Sequence, residues 1–211
     1  MRVRYRSYDG FSLSPVLVLI IVNLLFFIIT AIVPALRSSL SLLPVAFLSQ
    51  PWTILTSMFV HAGFGHILAN MFTLYFFGRA LLGLVGQGRF LIVYFVGGLL
   101  ASICYIVFTL MGGILGIAFL GSPFTPVVGA SGAVFAIAGA LVAMMPRLPV
   151  IIFPIPIPMR LWIAVIGIFV IFSIFGIFNV LPIAWQAHLG GLIVGLIAGF
   201  IIRRRERHFF F

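Results

Sequence analysis

Four side chains with the means to do chemistry sit inside otherwise apolar runs: His66, Asn70, Ser131 and His188. A serine hydroxyl is a weak nucleophile until a neighbouring base takes its proton, and a neutral imidazole is such a base. His66 and Asn70 are four residues apart and share one helix face. Both can donate hydrogen bonds, and the Ser131 amide is a third donor. Three donors converging on one point would stabilise the oxyanion of an acyl transfer. The acidic residues are Asp9 and Glu206, both near the ends of the sequence. A carboxylate to complete a Ser-His-Asp triad is therefore lacking in the apolar runs. So are the H-E-x-x-H zinc motif and an aspartyl pair, and Cys104 is the single cysteine. This composition gives no basis for a cofactor or a metal cage, and leaves a Ser131–His188 dyad as the hydrolytic constellation.

The elements that must position these groups are membrane helices. The 211 residues are 64% hydrophobic and 7% charged, too few charges to coat a water-soluble globule. Six apolar segments, 14–33, 64–82, 90–111, 130–145, 161–178 and 183–202, approach the roughly 20 residues that span a bilayer. The first is read as a retained helix, since no A-x-A-like cleavage site follows it. Residues 34–60 make a long first loop with Pro34, Pro44, Pro51 and Trp52, and 112–128 is a Gly- and Pro-rich loop. The five prolines from Pro146 to Pro158 predict an extended segment, because proline supplies no amide hydrogen to a helix. The expected organisation is a basic N-terminus (1–13), one six-helix membrane domain (14–202) and a basic C-terminus (203–211).

The formal charge of +10 does not mark a nucleic-acid surface, because the arginines lie at the ends and in the gaps between apolar runs. With the N-terminus inside, eleven of the twelve arginines become cytoplasmic and only Arg37 falls outside. That satisfies the positive-inside rule and places both termini in the cytoplasm. The second, fourth and sixth spans then run from outside to inside. His66, Asn70, Ser131 and His188 fall in their first ten or so positions, at one depth in the outer leaflet. Ionisable groups at such depth are functional candidates. Each alone has a plainer reading: helix glue for Asn70, an interfacial ring for His66, backbone bonding for Ser131, an ion path for His188. Gly132, Ala136 and Ala140 on the fourth span, and Gly191, Gly195 and Gly199 on the sixth, form small-residue stripes that permit close helix contact. Phe135, one turn below Ser131, is placed to stack on the His188 ring, with ordinary packing as the alternative.

These residues match a known pattern. Gly129-Ala130-Ser131-Gly132 resembles the G-x-S-G nucleophile motif of the rhomboid intramembrane serine proteases. Ala187-His188-Leu189-Gly190-Gly191 with Gly195 resembles their histidine helix, and His61 with His66 to Asn70 their second-helix signature. The resemblance covers roughly Trp52 to Gly199. It implies a six-helix bundle with a water-filled cavity and a first loop dipping beside it. It assigns Ser131 as nucleophile, His188 as base, and His66 and Asn70 as oxyanion donors. The implied substrates are single-span transmembrane proteins with a small residue before the cut, met in the bilayer of a prokaryotic plasma membrane. Three positions depart from the family: Thr53 follows Trp52 where arginine is frequent, Leu82 stands at an acidic position, and Phe135 replaces a tyrosine. A non-catalytic relative that binds membrane clients is the alternative, though such proteins usually lose the serine or histidine retained here. A transporter would need polar groups through both leaflets, and the inner halves of these spans nearly lack them. The sequence does not set the oligomeric state.

Overall fold

The computed structural model describes residues 14–152, 155–178 and 180–205. Arg2, Arg4, Arg6, Asp9, Glu206 and Arg207 lie outside the described residues. Proline opens the first two helices: Pro15 begins α1 (Pro15–Ile32) and Pro34 begins the short α2 (Pro34–Leu40). A missing amide hydrogen costs nothing in a helix's first turn. The first loop is thus partly helical, with a turn of 3₁₀ helix at Pro44–Ala46 and one turn of α3 (Thr53–Thr56).

Two long helices follow, α4 (Phe64–Val85) and α5 (Gln87–Leu115). The apolar spans leave a loop between residues 82 and 90, but the chain reverses at Gly86 alone. Its φ of 80° is open to glycine and strained for other residues. Arg89 consequently lies within α5, as Arg79 lies within α4. At 29 residues, α5 is about 43 Å long, more than the roughly 30 Å of hydrocarbon. It stops at Gly116, left-handed at φ 67°.

The central helix is α6 (Ser131–Met144), whose residues from Gly132 to Leu141 are all buried. Its 14 residues make only about 21 Å. The proline-rich segment after it is extended, as expected. It also pairs with itself as an antiparallel hairpin, β1 (Pro149–Ile152) with β2 (Ile155–Arg160), in the register Pro149 to Arg160 and Val150 to Met159. Helix α7 (Leu161–Ile177) buries only Leu161, Ala164 and Val165, and α8 (Trp185–Arg205) closes the bundle. Helix α8 runs through Arg203, Arg204 and Arg205. Cations stabilise the negative end of a helix, and Arg203 Nη1 donates to the Ala143 carbonyl at 3.1 Å at the end of α6.

Around α6 pack α4, α5, α7 and α8, with α1 against α4. Lipid offers no hydrophobic gain for helix association, so close van der Waals contact must hold the bundle. The glycines supply it. A Cβ on Gly191 would run into the Gly132 carbonyl, one on Gly195 into the Ala136 carbonyl, and one on Gly199 into the Ala140 carbonyl. The two small-residue stripes therefore face each other in register, backbone on backbone. Outward faces carry exposed Leu25, Ile28, Phe72, Ile92, Val107, Ile171 and Ile197. Among the described residues, four helices (α1, α4, α5 and α8) are long and apolar enough to cross a membrane, and α6 and α7 are shorter apolar helices.

Candidate active site

Ser131 is the first residue of α6 and half-buried; His188 is the fourth of α8 and buried. The α6–α8 contact brings Ser131 Oγ to 2.9 Å from His188 Nε2. As first residue of the helix, Ser131 also presents an amide with no partner inside the helix, at the positive end of the helix dipole. The segment leading into it is tied down on both sides. Val127 and Leu42 exchange backbone hydrogen bonds of 2.8 and 3.1 Å, and the Gly129 amide donates to the Ser57 carbonyl at 2.8 Å. Gly129 has φ 125°, a conformation that favours glycine.

The entry to α8 is pinned as well. Gln186 Nε2 donates to the Leu120 carbonyl at 2.9 Å, and Trp185 Nε1 to the Phe119 carbonyl at 3.3 Å. The His188 ring stacks on Phe135, with centroids 4.5 Å apart and planes 26° apart. Phe172 of α7 lies 6.1 Å away, and Phe169 meets the Phe135 ring edge-on at 6.2 Å. His188 Nδ1 is buried and has no hydrogen-bond partner among the described residues. The ring's orientation therefore rests on aromatic packing and on its contact with Ser131.

His66 approaches from α4. Its Nδ1 accepts from the Ala62 amide at 3.3 Å, so a neutral ring carries its proton on Nε2. That edge of the ring lies against Gly129. A Cβ there would sit 2.8 Å from His66 Nε2 and 3.7 Å from Ser131 Oγ. Asn70, buried one turn further along, donates one Nδ2 hydrogen to the His66 carbonyl at 2.8 Å. Half of its donor capacity thus goes to its own helix. His61, quoted above only as part of a motif, is 2% exposed and meets His66 edge-on with ring centroids 5.1 Å apart. Its Nδ1 is 3.2 Å from the Phe59 carbonyl. Burial pushes the His61 imidazole down to about 4; the nearby His66 ring adds to this and the Phe59 carbonyl opposes it.

A cavity opens beside Ser131, lined mostly by small residues such as Ser57, Gly98, Ser102, Gly129, Gly132 and Ala187, together with Met58, Val127 and Val128. The departures from the family pattern are accommodated. Trp52 Nε1 donates to the Ser39 carbonyl at 3.0 Å, Thr53 Oγ1 to the Gln50 carbonyl at 2.6 Å, and Leu82 is buried in the apolar core. Sequence reasoning did not single out Ser57, Phe169, Phe172 or the Ala62 amide. Each owes its place to tertiary contacts that no local pattern announces.

A part-buried contact between Ser131 and His188, held between two glycine-faced helices of an apolar bundle, marks the candidate site of a multi-pass membrane protein. The Rhomboid domain family matches residues 48–205, and the chain belongs to that family. It is 37% identical over 164 residues to RHOMBOID-like protein 12, mitochondrial, of Arabidopsis thaliana, covering 74% of this chain and 48% of that protein. Rhomboid protease GluP of Bacillus subtilis is 34% identical over 153 residues, 70% of this chain and 25% of that protein. Rhomboid protein 1, mitochondrial, of Saccharomyces cerevisiae is 28% identical over 155 residues, 72% of this chain and 42% of that protein. The chain thus spans a quarter to a half of the length of these relatives.

Proposed function

We propose that this protein is an intramembrane serine endopeptidase that cuts transmembrane segments of single-span proteins. The observation that carries this reading is the 2.9 Å approach of Ser131 Oγ to His188 Nε2, within the reach a general base needs. In this reading His188 takes the hydroxyl proton as Ser131 Oγ attacks the scissile carbonyl carbon. The negative charge that develops on the carbonyl oxygen faces the Ser131 amide, the Nε2–H of His66 and the free Nδ2 hydrogen of Asn70. Each such donor is worth about 2.7–4 kcal/mol in comparable sites. His188 then returns its proton to the departing amine, and water, activated by the same imidazole, hydrolyses the acyl-enzyme. Phe135 supplies by stacking the orientation that a carboxylate gives in a triad. The cavity beside Ser131, lined mostly by glycine, alanine and serine and bounded by Met58, Val127 and Val128, suits a small side chain next to the cut bond.

The membrane domain is taken as residues 14–202 together with the last turn of α8. The ends of α6 and α8 near Arg147 and Arg203 would face the cytoplasm and the Ser131 end the outer leaflet, in a prokaryotic plasma membrane. Purified protein in liposomes should cleave a single-span substrate bearing a small residue near its outer membrane border. Ser131→Ala should abolish cleavage, and a fluorophosphonate probe should mark Ser131 by mass spectrometry. Undiminished cleavage by Ser131→Ala, or an adduct on another residue, would refute the assignment.

A further inference from the structure

Arg37 is the one arginine that the charge pattern leaves on the outer side, so topology does not account for it. It lies exposed in the last turn of α2, yet its guanidinium is engaged. Nη2 donates to the Ala62 carbonyl at 3.0 Å, across 25 residues of sequence. The amide of the same residue, Ala62, is the one that donates to His66 Nδ1 at 3.3 Å. The guanidinium thus holds the peptide plane on one side of the Ala62 Cα, and the plane on the other side sets the His66 ring. Ala62 is itself exposed, and it precedes an extended, half-buried Gly63 (φ −177°). The buried His61 anchors one side of this turn, but a Cβ on Gly63 would meet nothing within 4 Å, so the Ala62–Gly63 side has little packing to fix it. The far edge of the His66 ring is the one that faces Gly129 and Ser131.

We propose that Arg37 is a positioning residue. By bracing the Ala62 turn it keeps the Ala62 amide on His66 Nδ1, and so keeps the His66 proton on Nε2, aimed at the oxyanion. A ring with the other tautomer would turn an acceptor lone pair toward developing negative charge, which is repulsive. A guanidinium suits the task because its planar donors are always charged and hold direction better than an ammonium. The proposal rests on the catalytic reading of Ser131 and His188.

Arg37→Met and Arg37→Lys are compared with wild type, with His66→Ala, and with the Arg37→Met/His66→Ala double variant. All are assayed in liposomes of one composition, with thermal unfolding as a check on folding. Loss of one exposed charge-assisted hydrogen bond is expected to lower kcat about three- to tenfold with KM unchanged. Arg37→Lys is expected to recover part of the loss. The double variant is expected to turn over no more slowly than His66→Ala, because the arginine acts through that ring. Losses that multiply in the double variant, or a loss confined to KM as a headgroup or substrate contact would give, overturn the proposal. Independently of cleavage, ¹⁵N NMR of histidine-labelled protein, assigned by the His66→Ala difference, reads the tautomer. Wild type is expected to show a protonated Nε2, and Arg37→Met a mixture. An unchanged single tautomer in Arg37→Met overturns the Arg37–His66 link. A wild type that cleaves nothing overturns the catalytic reading, while the NMR result still decides that link.

Discussion

Gly191→Ala tests how finely the bundle sets the catalytic distance. The new methyl would point at the Gly132 carbonyl, part of the residue that follows the nucleophile. Helices α6 and α8 would have to part by about 1 Å to reach even the tightest spacing that a Cβ tolerates, since no flexible side chain stands between them. Passed on in full, that shift opens the 2.9 Å Ser131–His188 approach to about 3.9 Å, beyond hydrogen-bond reach. A misplacement of this size costs about 10²-fold in turnover, with about 1–3 kcal/mol of overpacking strain in stability. Gly199→Ala is the control. Its methyl would meet the Ala140 carbonyl at 2.5 Å, a milder clash two turns further from the dyad. It should cost stability but less than about tenfold in turnover. The assay is cleavage of a transmembrane substrate in liposomes, normalised to the fraction labelled by a fluorophosphonate, beside thermal unfolding. A folded Gly191→Ala protein with more than half the wild-type kcat, or equal losses at both positions, would refute the reasoning.

Other side chains give graded expectations. His66→Ala should lower kcat by about 10²–10³ with little change in KM. Asn70→Ala should cost less, roughly tenfold, because one of its two donors is committed to the His66 carbonyl; a pure rise in KM in either variant would assign that residue to substrate binding. Phe135→Tyr keeps a ring over His188 and should stay within about threefold of wild type. Phe135→Leu loses the stack, worth about 0.5–1.5 kcal/mol, and should fall about three- to tenfold; equal rates for the two variants would remove the stacking argument. His61 adds a pH dependence. Its folded-state value of about 4 lies below the ordinary 6.5, so the unfolded chain binds the extra proton between those limits. The contribution of His61 is complete above about pH 6.5 and is lost as pH falls toward 4. The unfolding temperature of wild type should drop across that window more steeply than that of His61→Phe; parallel curves would contradict it.

Much of this fold is readable from hydropathy and arginine placement, because lipid leaves a chain few options beyond helices. The six apolar helices fall where the apolar runs predict them. Their ends do not always, since the polar stretch Gly83 to Arg89 reads as a loop. Only the positive φ of Gly86 reveals that one residue turns the chain and that Arg89 is helical. The proline run read correctly as extended, but its pairing into a hairpin depends on register, which proline content does not encode. At the site, spacing alone puts His66 and Asn70 on one face and glycine stripes on two helices. It cannot tell that Asn70 spends a donor on its own helix, that Ala62 sets the His66 ring, or that Phe172 reaches His188 from α7. Those contacts depend on loop paths, for which the sequence carries only a diffuse signal.

The brevity of α6 has a mechanical corollary. If the proposed orientation holds and the Arg203–Ala143 contact sits at the inner boundary, the helix's roughly 21 Å would leave about 9 Å of hydrocarbon thickness above Ser131. Thickening the bilayer does not lift the serine; it raises the ceiling over it. In the orientation proposed above, a client helix must surrender about six residues of its own winding before a peptide bond can descend to the hydroxyl. The bundle would then act as a depth gauge. Lengthening the acyl chains of the surrounding lipid should move the preferred cut further along the client, toward its membrane centre, without altering a single protein contact.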